Sequence, residues 1–203
     1  MTSVFFNNRT LRPNKIICVG KNYAAHIDEM KSVPSEHMTV FVKPATSITT
    51  RLIAFREEPV HFESEICLLI DDGCVSGVGL GLDLTKRRLQ AKLKEAGLPW
   101  ERAKAFDGAA LFSAFVPAPK NLNSLEVELF IDKELRQKGG AQQMLYPPTV
   151  ILSELASFMT LEDGDIIMTG TPSGVGPIPV GSHFQGRILH DDKVLTSASW
   201  IAE

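Results

Sequence analysis

The stretch His61-Phe62-Glu63-Ser64-Glu65-Ile66-Cys67-Leu68-Leu69-Ile70 joins an acidic half to an unbroken apolar half. The apolar half reads as a buried strand. Working outward, short apolar runs recur between Gly, Pro and Asp punctuation at 16–19, 40–42, 78–82, 125–131, 166–169 and 187–189. Helical patterns are fewer. They cover 23–30, then 85–96 with Leu89, Leu93 and Ala96 on one face, and 148–159 with proline in the first turn. The strands do not alternate with helices, so an α+β, mostly β fold is expected and a doubly wound parallel sheet is disfavoured. Asp132-Lys133 and His190-Asp191-Asp192 read as hairpin turns. Turn-rich stretches lie at 30–36, 46–59 and 171–182.

A chain of 203 residues is short enough for one core, so residues 1–203 are expected to form a single domain, with 1–14 a short lead-in. Hydrophobic residues at 44% and charged residues at 22% fit an ordinary globular protein rather than a disordered or membrane chain. The net charge of -3 offers no basic field for a phosphate backbone, which excludes nucleic acid as an expected partner. Cys18, Cys67 and Cys74 are an odd set without C-x-x-C spacing, so neither a disulfide framework nor a thiolate zinc site is expected. No run of about 18 apolar residues and no signal-type apolar segment occurs. A cytoplasmic protein with no membrane partner is the expectation.

On a strand, residues two apart project from one face, which puts Glu63 and Glu65 side by side with roughly 7 Å between their Cα atoms. Two carboxylates that close repel unless a cation or a proton intervenes. Asp83 closes the glycine-rich run 77–82 just before a helix. It either caps that helix or turns toward the glutamates. In the second case three hard oxygens converge without a soft ligand, which selects Mg²⁺, Mn²⁺ or Ca²⁺ over zinc or copper.

His26 and Glu29 stand three apart on the first helical pattern, close enough for the carboxylate to orient the imidazole as a general base. The alternative is an exposed polar helix face. Lys104 sits among small and apolar residues, where an ammonium could stabilise an enolate or simply snorkel to the surface. Arg87 and Gln90 share one helix face and either point at the same site or are solvated. Gly170 and Thr171, in the turn after run 166–169, could offer backbone N–H groups and a hydroxyl to a carboxylate. The chain lacks a Walker A ending, a dinucleotide fingerprint and a G-x-S-x-G nucleophile.

With these residues in view, the chain resembles the fumarylacetoacetate hydrolase family, in particular its small acylpyruvate hydrolase and oxaloacetate decarboxylase members. The resemblance is carried by KIICVGKNYAAHIDEM (15–30), VFVKP (40–44), HFESEI (61–66), GLDLTKRRLQ (81–90), GLPWERAKAF (97–106) and LEDGDIIMTGTPSGVGP (161–177). It implies a mixed β roll with a few short helices, usually a homodimer. It also implies Mg²⁺ or Mn²⁺, with Ca²⁺ as a crystallisation substitute, on Glu63, Glu65 and Asp83. His26 and Glu29 would activate water on a lid, and Lys104 would lie near the substrate oxygens. Lys21, Tyr23, Arg87, Gln90, Gly170 and Thr171 would bind a small 2-oxo or diketo acid. The implied activity is C–C bond hydrolysis of an acylpyruvate to pyruvate and a carboxylic acid. The alternatives are an oxaloacetate decarboxylase or keto–enol tautomerase on the same metal and, in a different class, a non-catalytic ligand-binding protein.

Overall fold

The computed structural model describes residues 2–31 and 36–203. The turn-rich stretch expected at 30–36 falls partly outside them. A hairpin of β1 (Val4–Phe6) and β2 (Arg9–Leu11) precedes β3 (Lys15–Gly20), helix α1 (Ala24–Glu29) and β4 (Thr39–Pro44). Next come β5 (Val60–Phe62), β6 (Ser64–Asp71), β7 (Cys74–Asp83) and β8 (Thr85–Lys86). Helices α2 (Arg87–Glu95) and α3 (Glu101–Lys104) lead to β9 (Ala110–Phe112) and β10 (Val116–Pro117). The remainder holds β11 (Leu125–Ile131), β12 (Glu134–Gly140), α4 (Pro148–Phe158), β13 (Ile166–Met168), β14 (Gly176–Pro177), β15 (His183–His190) and β16 (Lys193–Ile201). The fold is mostly β, as the run pattern leads one to expect.

The large sheet runs β10-β7-β6-β13-β3-β4, with β9 also pairing to β7. It is mixed: β13 lies parallel to β3 and antiparallel to β6. Both faces of its centre are covered, which is why β3, β6 and β13 read as continuous apolar runs rather than alternating ones. Ile17, Val19, Ile66, Leu68 and Leu80 point toward the second sheet, β12-β11-β15-β16, and toward α4, meeting Leu125, Val127, Ile188, Ile151 and Leu155. Their neighbours Ile16, Cys18, Cys67 and Leu69 point the other way, onto Phe6 and Phe115.

Two local features shape the site. The glycines of β7 serve packing rather than ligand binding: a Cβ on Gly79 would stand 3.0 Å from the Phe115 ring and one on Gly81 2.5 Å from Cys67 Sγ. The helix expected from Thr85 starts only at Arg87, because Thr85 and Lys86 pair antiparallel with His61 and Val60. Its N-cap is Lys86, so Asp83 does not cap it.

Candidate active site

Glu63 lies in the one-residue break between β5 and β6, while its carbonyl still accepts a hydrogen bond from the Asp83 N–H at 2.8 Å. That pairing continues the β6–β7 ladder and brings the end of β7 against the two glutamates. Ligand oxygens of Glu63, Glu65 and Asp83 come within 4.8 Å of one another, and all three residues are buried. Asp83 therefore turns toward the glutamates.

Three buried carboxylates demand positive charge. Lys104, at the end of α3, donates to Glu63 Oε2 at 2.8 Å, Asp83 Oδ2 at 2.7 Å and Thr85 Oγ1 at 2.7 Å. It is 3% exposed, so it does not snorkel. Arg87 donates to Glu63 Oε1 and, at 2.9 Å, to Gln90 Oε1. Burial disfavours the Glu63 carboxylate, but the charges of Lys104 and Arg87 outweigh it and hold its pKa well below the usual range. Burial likewise opposes the Lys104 ammonium, and Asp83 and Glu63 overcome it to raise its pKa. Glu65 is different. Burial and the charges of Asp83 and Glu63 push its pKa well up, and the Gly170 N–H, donating at 2.6 Å, only partly compensates. Hard oxygens, close convergence and an under-compensated Glu65 fit a divalent cation held by Glu63, Glu65 and Asp83.

His26 lies on α1 with Nδ1 3.4 Å from Glu29 Oε2. Glu29 in turn accepts from the Gly174 N–H at 3.0 and 3.2 Å, which ties α1 to the turn after Thr171. Burial lowers the His26 pKa against the opposing pull of Glu63 and Glu29, which favours the neutral ring. With Nδ1 facing a carboxylate acceptor, Nε2 is left as the basic nitrogen.

One cavity is lined by the three carboxylates, His26, Lys104 and Arg87, and also by Lys21, Gln90 and Thr171. Glu29 stands behind His26. Two other residues that the resemblance assigns to substrate lie outside the lining. Gly170 has its N–H on Glu65. Tyr23 is buried in the main core, its hydroxyl without a hydrogen-bond partner among the described residues. The Thr171 hydroxyl donates to the Ser64 carbonyl at 2.9 Å and accepts from Gln137 Nε2 at 2.8 Å.

Sequence reasoning missed two supports. Lys43 is fully buried, lies 2.7 Å from Asp83 Oδ1 and donates to the Ala109 carbonyl at 3.0 Å and to the Lys104 carbonyl. A lone lysine inside the apolar run VFVKP was the available signal. Gln137, on β12, accepts from the Ser64 N–H at 2.9 Å while donating to Thr171 and to the Pro172 carbonyl, and so fastens the loop to β6. No local pattern marks it.

Residues 15–199 match the model of the fumarylacetoacetate (FAA) hydrolase C-terminal family. The chain belongs to the fumarylacetoacetate hydrolase family. Among curated members of that family, it is 37% identical to oxaloacetate tautomerase YcgM of Escherichia coli (strain K12), over 87% of this chain and 90% of the relative. Among solved structures it superposes on a candidate fumarylacetoacetate isomerase/hydrolase from Oleispira antarctica with a TM-score of 0.95 and 33% identity, covering 100% of both chains. It also superposes on fumarylpyruvate hydrolase from Pseudomonas aeruginosa in complex with Mn²⁺ and pyruvate, with a TM-score of 0.87 and 31% identity over 99% of this chain and 96% of that one. The family fold and the mixed β roll expected from the motifs agree.

Proposed function

We propose that this member of the family is a divalent-metal-dependent enzyme that interconverts the keto and enol forms of a small 2-oxo dicarboxylic acid, oxaloacetate in the first instance. The observation that carries the reading is the carboxylate trio converging beside a neutral, carboxylate-oriented histidine in one cavity. The 37% identical relative named as an oxaloacetate tautomerase supports it.

A divalent cation on Glu63, Glu65 and Asp83, when bound, supplies Lewis-acid polarisation of the 2-oxo group. The protein supplies the proton transfer and the charge. His26 Nε2 takes a proton from C3, and the C–H electron pair becomes the C2–C3 double bond of the enolate. The Lys104 ammonium offers a positive field to the C2 oxygen that receives the displaced pair. Reprotonation on that oxygen completes the enol, and the reverse sequence returns the ketone. Glu29, anchored on Gly174, keeps the imidazole in the tautomer that accepts at Nε2.

Hydrolysis of an acylpyruvate is the second reading, favoured by the His26–Glu29 pair, which suits activation of water, and by the likeness to a fumarylpyruvate hydrolase. It uses the same electron sink but releases the enolate by C–C cleavage. The two are separated by following enol-oxaloacetate absorbance, and pyruvate release from fumarylpyruvate or acetylpyruvate, with Mg²⁺ or Mn²⁺ present and after chelation. Metal-dependent ketonisation about tenfold or more above the uncatalysed rate is expected. Pyruvate release without ketonisation would move the assignment to hydrolysis, and turnover that survives complete chelation would end both readings.

A further inference from the structure

One cation of the cavity, Lys94, stands outside the ion pairs described for the carboxylate trio. Lys94, in the last turn of α2, lines the same cavity as Glu63, Glu65 and Asp83. Among the described residues no carboxylate forms an ion pair with it. Its ammonium instead lies 4.5 Å from the centre of the Trp100 ring. The turn between α2 and α3 puts the indole there. Gly97 takes φ +63°, its N–H donates to the Lys94 carbonyl at 3.2 Å, and the Leu98 N–H donates to the Leu93 carbonyl at 2.8 Å. This Schellman arrangement folds the chain back so that Trp100 covers the end of α2.

Trp100 continues into Phe41, ring centres 5.9 Å apart, and Phe41 lies 5.3 Å from the Lys104 ammonium. An aromatic wall thus connects the inner cation, beside the carboxylates, with the outer one. Lys94 is exposed at the mouth, whereas Lys104 is buried. The outer ammonium is poorly provided for: partial burial and the like charges of Arg87, Lys104 and Lys21, opposed by Glu63, lower its pKa to about 8. Cations gathered along one wall attract an anion into the space between them, and the ring face holds the outer one in place without neutralising it.

We infer that Lys94, seated on Trp100, is a specificity-determining residue that receives the second carboxylate of a 2-oxo dicarboxylic acid whose 2-oxo end lies at Glu63, Glu65 and Asp83. The inference deepens the proposed function and rests on its substrate class. A monocarboxylic 2-oxo acid reaches the trio but leaves Lys94 unpaired, whereas a dicarboxylic one meets a cation at both ends.

The test is a binding measurement, so it does not depend on turnover. Calorimetric affinities for oxaloacetate and for pyruvate are taken with saturating Mg²⁺ on the wild type, Lys94→Met and Lys94→Arg. A charge-assisted contact of this kind predicts that the wild type prefers oxaloacetate by about tenfold or more. Lys94→Met brings the ratio near one, and Lys94→Arg keeps it within about threefold of the wild type. An unchanged ratio in Lys94→Met, or a wild type with no preference for the dicarboxylate, overturns the assignment. Lys94-dependent preference for oxaloacetate without acceleration of its tautomerisation would sustain the assignment while sinking the proposed reaction.

Discussion

As the proposed base, His26 has surroundings that favour its uncharged form. Burial is the largest influence on its pKa and lowers it, with Glu63 and Glu29 pulling the other way. The base form therefore persists into mild acid, and the acid limb of kcat/KM against pH is expected below 6.5. A divalent cation nearby acts in the same direction, since it disfavours a second positive charge. Glu29→Gln removes one of the groups that raise the pKa, so the limb shifts further down while kcat falls about tenfold as the ring loses its orientation. His26→Ala costs about 10²-fold or more in kcat, the usual range for a lost general base. A pH–rate series on the three proteins checks this. A limb above 6.5, or one that moves up in Glu29→Gln, contradicts the proposed tautomer and role.

Among the elements, the α2–α3 turn does the most with the least sequence. Gly97 adopts the left-handed conformation that closes the Schellman turn, and a Cβ there would meet nothing within 4 Å. The cost of Gly97→Ala is thus conformational rather than steric, about 1–2 kcal/mol, or a fall of roughly 2–8 °C in Tm for a chain of this size. Thermal denaturation measures it, and a neutral result would mean that the turn relaxes. Because this turn seats Trp100 over Lys94, the same substitution is expected to weaken the preference for a dicarboxylate more than it weakens binding at the trio.

For the whole molecule, the proposed ion site would link folding to metal through the buried acids. The folded chain gathers Glu63, Glu65 and Asp83 and leaves Glu65 under-compensated, a cost of folding that a divalent cation at the proposed site would remove. Mg²⁺ or Mn²⁺ at about 100 times its Kd should stabilise the fold by about 2.7 kcal/mol, or roughly 5–10 °C in Tm, and chelation should reverse it. Glu65→Gln separates the two effects. Without metal it is expected to melt at least as high as the wild type, since the carboxylate that burial and its like-charged neighbours disfavour is gone. With metal it should lose most of the upward shift. A metal-free Glu65→Gln that melts lower, together with an intact metal-induced shift, would remove Glu65 from the ion site.

Local pattern alone was enough for much of this protein. Unbroken apolar runs announce strands covered on both faces, and β11 spans 125–131 as read. The pairs Asp132-Lys133 and Asp191-Asp192 turn with positive φ, which the aspartates tolerate better than most residues. The parity of a strand suffices to place Glu63 beside Glu65. These are properties of residues a few positions apart, where backbone geometry ties spacing to direction. The structure had to decide the rest, because it depends on which strands pair. The β6–β7 ladder, through Asp83 N–H to the Glu63 carbonyl, turns a plausible helix cap into the third member of the trio. Pairing of Thr85 and Lys86 with β5 sets where α2 begins. Lys43, Gln137 and the Lys94–Trp100 contact depend on tertiary packing, and Gln137 meets Ser64 across 73 positions of chain. Periodicity carries no information about such encounters, since their energy is realised only once distant segments have packed.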